Sequence, residues 1–181
     1  MNRLEEALAA LHLAFEQLAI PYMVIGGLAN AQWGLPRATL DVDVSVWTGE
    51  ERLASAVDDL CARFHPLATE PAALVRQARV LPVDVGGVRA DIIFGLLPYE
   101  REAIGRAVEK SAGGCPVRFC TAEDLILHKV VSDRDKDRDD VRGILAAQRG
   151  KLDTAYLEPR LRELADLLGR PAIWEEYLRD R

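Results

Sequence analysis

Two aspartates separated by a single valine, Asp41 and Asp43, stand at the head of an otherwise apolar run that ends at Trp47. Side chains alternate along an extended strand, so Asp41, Asp43 and Ser45 share one face while Val42, Val44 and Val46 share the other. Like charges two residues apart repel, and each resists leaving water, so the pair needs either an exposed face or a cation. A solvent-facing edge strand is the plain reading of such a tripeptide. The chemical reading is a hard divalent cation, Mg²⁺ or Mn²⁺, which takes carboxylate oxygens and leaves positions open for substrate phosphates.

Neighbouring residues favour the chemical reading. Gly26-Gly27 follows the apolar Tyr22–Ile25 and precedes a stretch, Leu28 to Trp33, that can restart a helix. A strand, a glycine turn and a helix in that order let backbone N–H groups approach a phosphate with no Cβ in the way. Alone, a glycine pair is only a tight turn; ahead of a strand-borne Asp-x-Asp it is far more specific. Arg37 and Thr39 lie in the linking loop, either as solvated residues or as groups that touch the phosphate or hold the aspartate strand. Asp91 offers a third carboxylate. It sits inside the apolar run Arg89 to Phe94, where an unpaired charge is expensive, whereas Asp84 lies beside a turn and is assigned to the surface.

These residues need a sheet to carry them. Apolar spacing predicts an opening amphipathic helix over residues 2 to 18, stopped by Pro21, then strands at 22–25 and 41–47 and a helix at 50–63. A short helix at 73–79 is followed by two strands, 80–85 and 88–94, joined by Gly86-Gly87 as a hairpin. A helix at 99–108 and a strand at 116–119 precede Thr121, a good N-cap with Asp124 three residues on. Beyond Thr121 the pattern is helical throughout, at 122–132, 136–148, 154–168 and 172–179. The expected architecture is therefore an α+β core over residues 1–120, a mixed sheet with flanking helices. A small helical part, 121–181, is expected to pack on it rather than stand alone.

One charge in that helical part is out of place. At about 100° per residue, Ala122, Leu125, Ile126 and Val130 cover one arc and Lys129 falls in its middle, where a lysine must snorkel or find an anion. On the next helix Asp137 falls between Val141 and Ile144 on the inner face, and Asp140 lies at that face's edge. His128 projects away from the arc's centre.

Composition narrows the classes. The chain has 181 residues, 49% hydrophobic and 29% charged, with a net charge of -6, which argues against broad coating of nucleic acid. No apolar run approaches the roughly 20 residues that cross a bilayer, and Glu5 and Glu6 do not suit a secretory signal, so a cytoplasmic protein without membrane attachment is expected. Three cysteines without CxxC spacing indicate neither a disulfide framework nor a zinc site.

Taken together, Gly26-Gly27, Asp41-x-Asp43 and Asp91 resemble the signature of the nucleotidyltransferase superfamily related to DNA polymerase β. The stretch GGLANAQWGLPRATLDVDV is most similar to the bacterial branch of AbiEii-type toxins and small relatives, and the core is also similar to aminoglycoside and lincosamide nucleotidyltransferases. The resemblance implies a nucleotidyltransferase-like fold and Mg²⁺- or Mn²⁺-dependent transfer of an NMP from an NTP to a hydroxyl. On it, Asp41, Asp43 and Asp91 are the catalytic, metal-holding acids. Gly26, Gly27, Arg37, Thr39 and Lys129 contact the nucleotide, and Asp137 and Asp140 support them. The acceptor is left open between tRNA, a protein and a small molecule. A toxin-type enzyme would add a cognate antitoxin as partner. The alternatives are an antibiotic nucleotidyltransferase, or a nucleotide- or partner-binding module that transfers nothing.

Overall fold

A computed structural model describes residues 2–132 and 134–181. Among these described residues the chain forms nine helices and seven strands, all seven in one sheet. Contacts divide it into two compact units, residues 1–28 with 38–120 and residues 29–37 with 121–181.

The first unit opens with α1 (Arg3–Gln17). Asn2 accepts a hydrogen bond from the Glu5 N–H while the Glu5 carboxylate takes the Asn2 N–H, a reciprocal cap that satisfies two otherwise orphaned donors. Leu8, Leu11 and Phe15 from its apolar face are buried. Then follow β1 (Tyr22–Val24), the start of α2 (Gly26–Trp33), β2 (Val42–Val46), α3 (Glu50–Arg63), β3 (His65–Pro66) and α4 (Pro71–Ala78). The hairpin of β4 (Val80–Val85) and β5 (Val88–Phe94) leads to α5 (Pro98–Arg106) and a second hairpin, β6 (Val108–Ala112) with β7 (Cys115–Phe119).

The strands lie in the order β3-β4-β5-β2-β1-β7-β6. Pairing is antiparallel except between β2 and β5 and between β1 and β7. Val42, Val44 and Val46 of β2 and Ala90, Ile92 and Phe94 of β5 are all buried, which fixes the alternation and leaves Asp43 and Asp91 on the opposite face.

The Gly86-Gly87 hairpin forms as its sequence predicts, with both glycines at positive φ and Val85 paired to Val88. Asp84 anchors this turn by accepting the Gly87 N–H at 3.1 Å. Two parts differ from expectation, β3, where no strand is predicted, and the segment around Val108. The spacing predicts a helix to Val108, but α5 ends at Arg106 and Val108 opens β6, pairing with Phe119. Glu109, Lys110 and Ser111 show no apolar alternation because β6 is an exposed edge strand whose charges keep other edges away. The second glycine pair, Gly113-Gly114, also at positive φ, is the turn that marks it.

In the second unit, α6 (Ala122–Ser132), α7 (Asp135–Ala147), α8 (Thr154–Leu167) and α9 (Ala172–Asp180) enclose a core of Leu125, Ile126, Ile144, Leu157, Leu161 and Ile173. The Tyr156 hydroxyl donates to Asp124 at 2.6 Å and the Asp153 N–H to Glu123 at 2.8 Å, tying α8 to α6. Residues 29–37 belong here as well. Asn30 donates to the Leu35 carbonyl at 2.9 Å, and Gln148 of α7 donates to the Trp33 carbonyl at 2.8 Å. No described helix is long and apolar enough to cross a membrane.

Candidate functional site

Parallel pairing of β2 with β5 puts Asp43 directly beside Asp91 in the register Val42↔Ala90, Asp43↔Asp91, Val44↔Ile92. Neighbouring strands lie about 4.8 Å apart, so two carboxylates at the same register on the same face sit within easy reach of one cation. Both residues are partly exposed. Asp41 immediately precedes β2, and its Oδ1 accepts the Thr39 hydroxyl at 2.8 Å. Thr39 thus restrains Asp41 just ahead of the acid strand.

The glycine turn closes against these acids. Gly26 has φ +64, and a Cβ built there would lie 1.9 Å from the Asp43 Oδ2; one at Gly27 would lie 2.7 Å from the Thr39 Oγ1. Both positions therefore need glycine for space, and Gly26 needs it for conformation as well. Gly26→Ala is expected to lower unfolding stability by at least about 1–2 kcal/mol from the left-handed backbone alone. Urea denaturation of the two proteins measures it.

Whether this face suits a divalent cation is decided by its oxygens. The Asp91 Oδ1 is buried and accepts no hydrogen bond, although the Arg89 Nη2 lies 2.8 Å away as an ion pair. A buried oxygen that accepts no aligned hydrogen bond, beside a second carboxylate, suits a hard cation whose other positions go to water and phosphate. The fit rests on Asp43 and Asp91. Among the described residues no group of three or more histidines, cysteines or carboxylates gathers closely enough to hold a metal.

No protein-family model matches the chain. No curated protein matches it either. Solved structures do. The antibiotic-resistance factor ANT(2'')-Ia is similar over 98% of this chain and 97% of its own, with a TM-score of 0.56 at 16% identity. This chain has a nucleotidyltransferase-like fold. The lincosamide antibiotic adenylyltransferase LnuA, in its lincomycin-bound crystal structure, is similar over 79% of this chain and 97% of its own, with a TM-score of 0.52 at 12% identity. Identities this low carry the fold and nothing finer.

The remaining residues singled out from the sequence form a second cluster, in the helical unit. The side chain of Lys129 is 5% exposed, and its Nζ donates to Asp137 at 3.0 Å and to Asp140 at 2.6 Å. Asp140 also takes the Arg37 Nε at 3.2 Å and the Asn30 amide at 3.2 Å. The resemblance implies a Lys129 that faces the nucleotide; in the structure its ammonium is held by these two carboxylates. The wheel that centred Lys129 and turned Asp137 inward located the cluster. Asn30 was not foreseen, because α2 is too short for its buried face to show a period.

Burial alone would push the Asp137 carboxyl up, but hydrogen bonds from Ser132, Arg134 and Lys129, with the charge of Lys129, outweigh it and hold the group at about 2. Its ordinary value is 3.8. A carboxyl held low stabilises the fold fully above about pH 4, and that contribution is lost as pH falls toward 2. The shift corresponds to about 2 kcal/mol. The unfolding free energies from urea denaturation at pH 5 and pH 2 should differ more in the wild type than in Asp137→Asn, by about that amount.

Arg89 is a further residue that spacing could have flagged and did not. Two positions before Asp91 on the same strand, it shares that residue's face, and its guanidinium pairs with the carboxylate.

Proposed function

We propose that the chain is a nucleotidyltransferase that moves an NMP from an NTP to a hydroxyl acceptor with the help of Mg²⁺ or Mn²⁺. The observation that carries this is the in-register pair Asp43 and Asp91 with the Gly26 turn seated against Asp43. The nucleotidyltransferase-like fold supports it.

In this reading Asp43 and Asp91 hold the cation, and Asp41, fixed by Thr39, adds negative charge at the edge of the site. A divalent cation held there would supply charge neutralisation for the triphosphate. Gly26-Gly27, opening α2, presents backbone N–H groups to the phosphates without side chains in between. Asp91 accepts the proton of the attacking hydroxyl. A bond forms between that oxygen and the α-phosphorus, the bond from the α-phosphorus to the bridging oxygen breaks, and pyrophosphate leaves. Nucleotide contact by Lys129 and Arg37 is not needed for this sequence of events, since their charges are balanced by Asp137 and Asp140.

The acceptor we favour is a small hydroxylated molecule. The net charge of -6 opposes a polyanionic partner, and LnuA is a lincosamide antibiotic adenylyltransferase. Pyrophosphate release tests the reading. Protein, Mg²⁺ and each NTP are incubated with aminoglycosides, lincosamides, tRNA and cell protein. Release that depends on both Mg²⁺ and one acceptor is expected. Release with tRNA or protein alone would overturn the small-molecule acceptor, and growth arrest on expression would then point to a toxin with a cognate antitoxin. Nucleotide binding without release for any acceptor would make the chain a binding module.

A further inference from the structure

We propose that Arg89 occupies the cation position of the acid face in the nucleotide-free protein and becomes a triphosphate ligand once a divalent cation displaces it. This deepens the proposed function and rests on it. Strand β5 puts Arg89 and Asp91 on one face, and the Asp43↔Asp91 register sets Asp43 beside them. Asp43 and Asp91, side by side on one face, repel, and Arg89 is the cation that the strand itself delivers to them.

The pairing has the character of a placeholder. The Nη2 stands 2.8 Å from the Asp91 Oδ1, yet that buried oxygen accepts no aligned hydrogen bond, and the second contact, Nε to Oδ2, is long at 3.3 Å. Arg89 is 53% exposed. An exposed pair of this kind is weak, about 0–1 kcal/mol, so exchange for a doubly charged ion bound by two carboxylates is favourable. The displaced guanidinium remains tethered at the rim of the same face, where a forked donor suits a phosphate oxygen. The arginine thus opposes the metal and assists the nucleotide, which no purely structural role would do.

The two effects have opposite signs in one variant. Mn²⁺ affinity, read by the paramagnetic signal of free Mn²⁺, and affinity for a non-hydrolysable NTP with Mg²⁺, read by calorimetry, are measured in wild type, Arg89→Gln and Asp43→Asn. Arg89→Gln should tighten Mn²⁺ about 3- to 5-fold, the equivalent of losing a competing pair of that strength, and weaken the nucleotide about 10-fold. Mn²⁺ affinity that is unchanged or weaker in Arg89→Gln overturns the proposal, as does unchanged nucleotide affinity. If wild type and Asp43→Asn bind Mn²⁺ alike, the acid face holds no metal, and it is the underlying function that has failed. Arg89 is 53% exposed and the Asp91 side chain keeps 22% of its surface in water, so the variant is expected to fold.

Discussion

Asp43→Asn should lower nucleotidyl transfer by about 10²–10³-fold or more while leaving the thermal midpoint unchanged or slightly higher. The reason for the first effect is that Asp43 is one of only two carboxylates that meet across β2 and β5, and an amide binds a hard cation far less well than a carboxylate. The reason for the second is that like charges directly opposed on adjacent strands destabilise a sheet, by about 0.2–1 kcal/mol for a typical cross-strand pair. Removing one charge relieves that repulsion. Loss of activity together with retained or improved stability is what separates a residue kept for chemistry from one kept for packing. Parallel assays of transfer and thermal unfolding read both signs. A variant that unfolds would make Asp43 structural, and one that transfers at the wild-type rate would remove it from the site.

Lys129→Met should have the largest effect on stability, a loss of about 3–5 kcal/mol. The two side chains have similar length, so the helix packing is kept and the charge alone is lost. Asp137 and Asp140 are 3% and 7% exposed at the side chain, and breaking a buried pair leaves carboxylates that water cannot reach. Arg37 still faces Asp140, and Ser132 and Arg134 still face Asp137, which places the expected loss at the lower end of that range. Adding Asp137→Asn and Asp140→Asn to Lys129→Met should recover much of it, because the uncompensated charges are then gone. If Lys129 acted only on a nucleotide, Lys129→Met would leave the unfolding free energy of the free protein unchanged, and equilibrium urea denaturation distinguishes the two outcomes.

Local chemistry made part of this molecule legible from its sequence. Alternation along β2 put Asp43 on the face opposite the buried valines, the Gly86-Gly87 turn announced the β4–β5 hairpin, and the cost of a charge inside Arg89 to Phe94 singled out Asp91. Helical geometry placed Lys129 among apolar neighbours, and the structure supplies the anions that such a position requires. What alternation cannot supply is register. That Asp43 lies beside Asp91 rather than two residues away depends on a parallel pairing between strands more than forty residues apart, and no local pattern encodes it. The same limit hid Arg89, whose spacing from Asp91 was visible but whose ion pair with that carboxylate was not. It also hid β6, an edge strand made of charged residues, because strands are recognised by the apolar face that an edge need not have.

Gly26 shows how the two levels meet. From the sequence it is a residue that keeps a helix N-terminus open to phosphate. In the fold it is also the residue whose missing Cβ makes room for the Asp43 carboxylate. A turn and an acid that are 17 positions apart are therefore one steric unit, roughly as tightly fitted as a protein core.

The central claim, that the acid face transfers an NMP, is tested most directly by following the two ends of one nucleotide. The protein is supplied with Mg²⁺, an acceptor that supports pyrophosphate release, and the preferred NTP labelled in one sample at the α-phosphate and in the other at the γ-phosphate. α-Label is expected on the acceptor and γ-label in pyrophosphate, both abolished by Asp43→Asn. Label from the γ-phosphate on the acceptor, or equal α-transfer by wild type and Asp43→Asn, would contradict it.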